Sequence, residues 1–299
     1  MMLSFATLDV FTDQPFSGNP LAVVLGADGL SDAQMLAIAR EFNLSETIFV
    51  QPPANPAHTA RVRIFFPTAE IPFAGHPTIG CAIHLASAGR AGDFTADLVL
   101  EEEAGLVPVR VERHGGRVSA EFTAPILPFA APGEAPASLV AQALGLGEAD
   151  LGFGAHRIGL WQGGPAFLYV PVASLDLLAR ARPIEPHWSG LMQRAGVDSA
   201  YLYTPGADCD FRARMFSPTA GIPEDPATGS ASAIFAAQLH AADALRPGTQ
   251  VFRLRQGVEM GRPSDITLGI DSAAAPTAIR IRGSAVPITE GRIRRPEEK

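Results

Sequence analysis

The chain contains one short motif twice, and this repeat limits the folds available to it. Residues 67–82 read Pro-Thr-Ala-Glu-Ile-Pro-Phe-Ala-Gly-His-Pro-Thr-Ile-Gly-Cys-Ala, and residues 218–231 read Pro-Thr-Ala-Gly-Ile-Pro-Glu-Asp-Pro-Ala-Thr-Gly-Ser-Ala. When two positions of the longer copy are dropped, His76 aligns with Asp225, and both copies run into an alanine-rich stretch. The repeat therefore predicts two related half-domains, each with its own copy of a site-building turn.

A second repeated feature occurs in the same order along the chain. Residues 16–24 read Phe-Ser-Gly-Asn-Pro-Leu-Ala-Val-Val, and residues 162–170 read Gln-Gly-Gly-Pro-Ala-Phe-Leu-Tyr-Val. Each is a glycine–proline turn that leads into an apolar strand. Two repeated features in one order favour internal duplication over chance, and the proline-rich stretch 124–136 marks the linker between the halves.

The size of the chain fits this plan. A length of 299 residues corresponds to about two domains, and 47% hydrophobic with 18% charged residues is enough to bury a core in each half. We expect an N-terminal half at 1–127 and a C-terminal half at 128–283. The C-terminal strand 284–299 is a candidate addition to the N-terminal half.

Hydrophobic spacing predicts a mixed secondary structure. Residues 31–42 form an amphipathic helix, with Ser31 as N-cap, Gln34 completing a capping box, and an apolar face that includes residues 36, 39 and 42. The small-residue runs 77–88 and 227–242 predict buried helices, because small side chains allow close packing on all sides. Strands are expected at 47–50, 60–66, 97–100, 106–112, 117–122, 200–204, 209–216, 249–255, 264–270 and 278–283. Because strands outnumber helices and meander, the predicted fold class is α+β.

Each copy of the repeat places an ionisable side chain directly before a proline. Proline favours the first helical position, so His76 and Asp225 are predicted to lie beside helix N-termini. Free backbone N–H groups at such an end attract anions. Two helix starts of this kind would hold a carboxylate-bearing or phenolate-like substrate. The alternative is that Asp225 is only an N-cap and His76 a hydrogen-bonded core residue.

Glu46 is the third candidate for chemistry. It lies where the first helix meets an apolar strand. A carboxylate in such a place is often desolvated, and its pKa then rises toward the range useful for a general acid or base. The alternative is an ordinary glutamate in a surface loop.

Composition excludes several classes of protein. The net charge is −8, and the basic residues cluster only at the tail, in Arg292, Arg294 and Arg295, which argues against a nucleic-acid-binding surface. No apolar run approaches the roughly 20 residues that span a bilayer, and the N-terminus lacks the basic region and cleavage site of a secretory signal. With Cys81 and Cys209 as its two cysteines, the chain is expected to be cytoplasmic with free thiols.

Motifs for metals and nucleotides are missing from the sequence. The seven histidines show no metal-ligand spacing. Gly145-Leu-Gly147 and Gly152-Phe-Gly154 lack the third glycine of a dinucleotide-binding loop, and no phosphate-binding loop or nucleophile elbow occurs. We therefore expect no metal and no cofactor.

Four motifs together resemble signatures of the PhzF family, the phenazine-biosynthesis isomerases, and the resemblance spans essentially the whole chain. They are Gly-Asn-Pro at 18–20, Ser-Glu-Thr at 45–47, Phe-Ala-Gly-His-Pro-Thr-Ile-Gly at 73–80 and Glu-Asp-Pro-Ala-Thr-Gly-Ser at 224–230. The run Phe-Arg-Ala-Arg-Met-Phe at 211–216 is also similar to that family. The resemblance implies the diaminopimelate-epimerase-like fold, in which two pseudo-symmetric halves each curl a mixed sheet around a central helix. It also implies an active site between the halves, no cofactor, and a homodimer.

The resemblance assigns roles residue by residue. Glu46 matches the proton-transferring acid/base of the family, and His76 and Asp225 match residues that bind the substrate and relay protons. The substrate-binding set implied in the same way consists of Asn19, Ser45, Gly75, Gly229 and Ser230. The resulting hypothesis is a cofactor-independent isomerase that moves a proton between carbons of a small carboxylate-bearing substrate, a dihydro-hydroxyanthranilate in the named branch.

Two alternatives stay open at the level of sequence. One is an epimerase or racemase of the same fold, and the other is a catalytically idle relative that acts as a binding protein. Epimerases and racemases of this fold carry a cysteine at each helix start, whereas this chain has His76 and Asp225 there, which disfavours a two-thiol mechanism. Cys81, one turn inside its helix, is expected to be a small core residue.

Overall fold

The computed structural model describes residues 1–297 and consists of two compact units. Unit 1 comprises Met1–Pro125 and the chain from Ile281 onward, and unit 2 comprises Ile126–Arg280. Positions 298 and 299 of the expected C-terminal strand lie outside the described residues. Within the described range, no helix has both the length and the apolar character needed to cross a membrane.

Unit 1 is built mainly of strands. Its elements are β1 (Met2–Val10), β2 (Asn19–Leu25), α1 (Asp32–Phe42), β3 (Glu46–Gln51), β4 (Ala60–Phe65), β5 (Glu70–Ile71), α2 (Gly75–Ser87), β6 (Phe94–Glu102), β7 (Gly105–His114), β8 (Arg117–Thr123) and the C-terminal part of the last strand, Pro276–Arg294. That last strand, β17 in chain order, pairs with both β8 and β1, so the strands of unit 1 form a closed ring.

Unit 2 contains more helix. Its elements are β9 (Phe129–Ala130), α3 (Ala137–Leu144), β10 (Gly159–Gln162), β11 (Ala166–Pro171), α4 (Leu175–Arg180), α5 (His187–Ala195), β12 (Ala200–Pro205), β13 (Phe211–Ser217), β14 (Ile222–Asp225), α6 (Gly229–Ala241), β15 (Gly248–Gln256) and β16 (Ser264–Ser272), with short 3₁₀ turns at Glu148–Asp150 and Pro218–Ala220. The proline-rich linker therefore carries β9, which pairs with β10.

The two units share one topology, as the sequence repeat predicts. In unit 1 the order β1-β2-β3-β4-β6-β7 alternates antiparallel and parallel pairs. In unit 2 the order β10-β11-β12-β13-β15-β16 has the same alternation. A short strand, β5 or β14, then pairs with β4 or β13 immediately before the long buried helix of its unit. The α+β prediction is confirmed.

The long helix of each unit is buried along most of its length because its side chains are small. In unit 1, α2 packs against β1, β2, β3, β6, β7 and β8. Gly80 of α2 is needed for this approach: a Cβ there would lie 2.5 Å from Leu21 and 2.8 Å from Val10. In unit 2, α6 packs against β10, β11 and β16 in the same way.

Both helices begin at positions other than those predicted. The first helical residue of α2 is Gly75, so Pro77 is the third residue and not the first. In unit 2, α6 begins at Gly229, and Pro226 lies outside the helix because Asp225 is still part of strand β14. Proline fits the third position of α2 because N–H groups of the first turn need no partner within the helix.

Helix α1 matches the prediction at its ends and differs on its face. Ser31 and Gln34 form the expected capping box. The buried face consists of Gln34, Met35, Ile38 and Ala39. The predicted apolar face is rotated about the helix axis relative to the buried one. Leu36 and Phe42 lie at the edge of the core and are half-buried.

An arginine fastens the short strand before the long helix in each unit. Arg63 donates to both carboxylate oxygens of Glu70 on β5 and to Asp32 at the start of α1. Arg214 donates to both oxygens of Glu224 on β14, at 2.8 and 2.9 Å, and its third nitrogen donates to carbonyls at the end of α4. Each arginine stands four residues before a Pro-Thr-Ala copy, so this clamp is part of the duplication.

Replacing Gly80 by alanine should destabilise the protein. The added methyl group overlaps two fully buried side chains, and overpacking of this kind costs about 1–3 kcal/mol. The matched control is Gly190→Ala on α5, where a Cβ meets no atom within 4 Å, and it should stabilise by roughly 0.5–1 kcal/mol. Urea unfolding distinguishes the two, and a gain of stability in both variants would contradict the packing described for α2.

Removing the Arg214 guanidinium should destabilise far more than removing an exposed one. Arg214→Met leaves the Glu224 carboxylate and several carbonyls without their donor, and breaking a buried pair costs about 3–5 kcal/mol. In the control, Arg194→Met breaks a surface pair with Glu134, which is worth about 0–1 kcal/mol. Equal unfolding midpoints for the two variants would show that the clamp does not stabilise unit 2.

Candidate functional site

In unit 1, three elements bring Asn19, Glu46 and His76 together. Glu46 is the first residue of β3 and only 8% exposed, and His76 is the second residue of α2 and 2% exposed. Nδ1 of His76 lies 3.5 Å from a carboxylate oxygen of Glu46 and 3.3 Å from the amide nitrogen of Asn19. Glu46 is therefore not a surface-loop residue, and that alternative is wrong.

The environment of His76 keeps its ring neutral. Burial lowers the pKa of His76 to about 3, although the nearby Pro20 carbonyl favours the protonated ring. Nδ1 also makes a hydrogen bond with the side-chain amide of Asn19, and the direction of this bond depends on which ring nitrogen carries the proton. Glu46 thus faces Nδ1 of a neutral imidazole, which carries no positive charge that would hold Glu46 in its ionised form.

The N-terminus of α2 has no capping side chain. Its N-cap residue is Ala74, which makes no side-chain hydrogen bond to the helix. Gly75, the first helical residue, is buried and has no side chain that could cover the neighbouring backbone. Such an end is a site for an anion. Ser45, half-buried, directly precedes Glu46 in the chain.

In unit 2, Asp225 is held in a tight network before α6. Its carboxylate accepts from the Thr228 hydroxyl at 2.5 Å, and its carbonyl accepts from the Gln256 amide at 2.7 Å. The same Gln256 amide donates to the Thr228 hydroxyl at 3.0 Å, and its oxygen accepts from the Thr228 backbone N–H. Asp225 is 4% exposed and Gln256 is fully buried.

This network explains why Asp225 is not an N-cap. Thr228 occupies the N-cap position of α6, yet its hydroxyl is turned toward Asp225 and does not cap the helix. Gly229 and Ser230 are the first two helical residues. The start of α6 therefore offers backbone N–H groups and the Ser230 hydroxyl, as the start of α2 offers Gly75 and His76. Asp225 is connected to the start of α6 through Thr228, and the role of both helix starts as anion sites stays a prediction.

Two functional groups were missed at the level of sequence, Thr228 and Gln256. Thr228 lies inside the repeated motif but looks like an ordinary helix-start residue. Gln256 ends a strand whose sequence gives no sign that its last residue is buried. The structure brings Asn19, Glu46, Gly75 and His76 together in unit 1, and Asp225, Gly229 and Ser230 in unit 2. That both sets serve one substrate stays a prediction.

Within residues 1–297, no three His, Cys, Asp or Glu side chains come together as a possible metal site. Both cysteines are free thiols, and Cys81 is buried in α2, where desolvation raises its thiol pKa far above the usual value. A buried neutral thiol of this kind fits the core role expected from the sequence.

Comparisons with known proteins cover nearly the whole chain. The family model described as phenazine biosynthesis-like protein matches residues 8–291. An uncharacterized isomerase of Mesorhizobium japonicum is 44% identical over 97% of this chain and 98% of its own length. A trans-2,3-dihydro-3-hydroxyanthranilate isomerase of Pseudomonas fluorescens is 36% identical over 98% of this chain and 99% of its own.

Solved structures agree with these sequence matches. A PhzF-family phenazine biosynthesis protein of Bacillus anthracis superposes with a TM-score of 0.86 at 26% identity, and the match covers 98% of this chain and 99% of that one. Duplicated topology, two uncapped helix starts and motif order all agree with that family and its diaminopimelate-epimerase-like fold. The chain belongs to the PhzF family.

Proposed function

We propose that this protein is a cofactor-independent isomerase that moves a proton between two carbons of a small carboxylate-bearing substrate. Its relatives are named isomerases, which supports the reaction class. The observation that carries the proposal is the buried Glu46 carboxyl group beside Nδ1 of a neutral His76, at the start of a helix whose N-cap residue makes no side-chain hydrogen bond. This combination provides one proton carrier and one anion site next to each other.

The anion site holds the substrate and polarises it. Backbone N–H groups at a helix start, and the Ser230 hydroxyl at the start of α6, are donors from which a substrate carboxylate can accept. Donors that are fixed by the fold need no reorganisation when charge develops during the reaction. The Arg63 and Arg214 clamps contribute by fixing the short strands from which these helix starts emerge.

Glu46 carries the proton in two steps. As a carboxylate it removes a proton from one carbon, and the electron pair of that C–H bond shifts the double bond. As a carboxylic acid it then returns a proton to another carbon, so atoms and electrons balance without an oxidant. A cationic His76 would hold Glu46 in its ionised form, so the neutral ring suits both steps.

The test substrate follows from the relatives. Trans-2,3-dihydro-3-hydroxyanthranilate has the required carboxylate, and it is the substrate in the name of the Pseudomonas fluorescens relative. We assign catalytic roles to Glu46, His76 and Asp225, and substrate-binding roles to Asn19, Ser45, Gly75, Gly229 and Ser230. Asp225 is held rigidly by Thr228 and Gln256, as a residue that orients a substrate must be.

Glu46→Gln should abolish turnover and leave binding nearly intact. Glutamine keeps the shape of the side chain but cannot cycle a proton, and general acid–base groups contribute about 10²–10⁴-fold. We expect kcat to fall at least about 10²-fold, while calorimetric affinity for anthranilate, an aromatic carboxylate analogue, stays close to wild type. Glu41→Gln, an exposed change on α1, is the matched control. If Glu46→Gln turns over the substrate at the wild-type rate, a residue other than Glu46 carries the proton.

Ser230→Ala should show the opposite pattern. It removes one hydrogen bond to a charged group, worth roughly 1.5–3 kcal/mol, and leaves Glu46 in place. Affinity for anthranilate should fall by about this amount, with a much smaller change in kcat than in Glu46→Gln. Unchanged affinity would show that the start of α6 does not bind the carboxylate.

A further inference from the structure

A threonine hydroxyl at the start of α2 has two oxygen neighbours and only one proton. Oγ1 of Thr78 lies 2.7 Å from the carbonyl oxygen of Ala74 and 2.7 Å from a carboxyl oxygen of Glu102. The carbonyl can only accept a hydrogen bond. If Thr78 donates to Ala74, then the Glu102 oxygen must be the donor in the second contact, which requires a protonated carboxyl group.

The surroundings of Glu102 favour the protonated form. Glu102 ends β6 and is 8% exposed. In the described residues its second oxygen has no hydrogen-bond partner, and no cation takes part in an ion pair with it. Burial raises the pKa of Glu102 to about 8, against a small opposing effect of Thr78. Ionised Glu102 would be a buried charge without a counter-ion, which is costly.

The duplicated architecture provides an internal comparison. In unit 1, strand β6 pairs with β4 so that Arg61 lies opposite Glu101. In unit 2, β15 pairs with β13 so that Arg212 lies opposite Arg255. Arg61 and Arg212 stand six residues before the two Pro-Thr-Ala copies, and are equivalent. The residues that follow the paired positions, Glu102 and Gln256, therefore occupy the same place in the two units.

In unit 2 the residue at this position, Gln256, begins a chain of hydrogen bonds toward α6. Its neutral amide donates to the hydroxyl of Thr228, which in turn donates to Asp225 at the start of α6. In unit 1, a neutral Glu102 would donate to the hydroxyl of Thr78, which in turn donates to Ala74 at the start of α2. Each chain then consists of two hydrogen bonds through a threonine hydroxyl, although Thr228 is the N-cap of α6 and Thr78 is the fourth residue of α2.

We propose that Glu102 is a neutral carboxylic acid in the folded protein and positions the first turn of α2 through Thr78, as Gln256 positions the approach to α6 through Thr228. Glu102 is a positioning residue and does not touch the substrate. Its effect on ligand binding rests on the proposed function, because it acts through the helix start that binds the carboxylate. The protonation state of Glu102 and its effect on folding are independent of the proposed function.

Infrared difference spectroscopy tests the protonation state without any substrate. The wild-type spectrum minus that of Glu102→Gln at pH 7 should contain the C=O band of a carboxylic acid, shifted in deuterated water. Glu103→Gln, at the exposed neighbouring position, is the control and should remove only carboxylate bands. If the substitution Glu102→Gln removes only carboxylate bands from the spectrum, the proposal is overturned.

Two substitutions separate positioning from packing. Glu102→Gln keeps a neutral donor and should bind anthranilate within about twofold of wild type, whereas apolar Glu102→Met should weaken binding roughly tenfold, the equivalent of one hydrogen bond. For turnover of the dihydro substrate, Glu102→Met should raise KM more than it lowers kcat. Equal behaviour of the two variants would contradict the positioning role. If Glu102→Met does not fold, the infrared spectrum and the anthranilate affinity of Glu102→Gln still test the proposal.

Stability against pH gives a readout that does not depend on the proposed function. The pKa of Glu102 is about 8 in the folded state, above the ordinary value of 4.5. Between these values the unfolded chain releases a proton that the folded chain keeps, so rising pH destabilises the wild type. From pH 5 to pH 8, the Tm of Glu102→Gln should rise relative to wild type. Parallel Tm curves would overturn the proposal, and an inactive enzyme with the expected curves would count against the proposed function alone.

Discussion

The first backbone N–H groups of a buried helix have no partner within the helix and need one from elsewhere. Both long helices of this protein begin in that way, and neither start is covered by a capping side chain. A bound carboxylate can satisfy these donors, which makes the ends of α2 and α6 natural places for an anionic substrate. The small side chains of the helices, the short strands before them and the arginine clamps all fix the position of these two ends.

The duplication shows how one plan can yield two different half-sites. At equivalent places, unit 1 has His76 and Glu102 where unit 2 has Asp225 and Gln256. Unit 1 adds the buried Glu46 beside the neutral ring of His76, and our proposal assigns proton transfer to this residue. Unit 2 holds its aspartate in a rigid network, which suits orientation of a substrate. The strand pairing is the same in the two units, whereas the long helix begins before His76 in unit 1 and after Asp225 in unit 2.

Much of the secondary structure and the duplication could be predicted from sequence, because the repeat and the hydrophobic spacing can be read directly from the chain. Most of the predicted strands and the capping box at Ser31 agree with the structure to within a few residues. The helices α3, α4 and α5 were not predicted, because they are short and their cores form only against the strands of unit 2. The start of α6 was misplaced because Gln256, distant in sequence, keeps the backbone at Asp225 extended. Long-range contacts of this kind leave no local pattern.

The most direct test of the account follows one hydrogen atom through the reaction. Trans-2,3-dihydro-3-hydroxyanthranilate carrying deuterium at the carbon that loses its hydrogen is incubated with the wild-type enzyme in ordinary water, and the isomerised product is examined by NMR. The account predicts that the label has left its original carbon and is found on the receiving carbon or in the solvent. An isomerised product that retains the deuterium at its original position would contradict proton transfer between carbons, and with it the role assigned to Glu46.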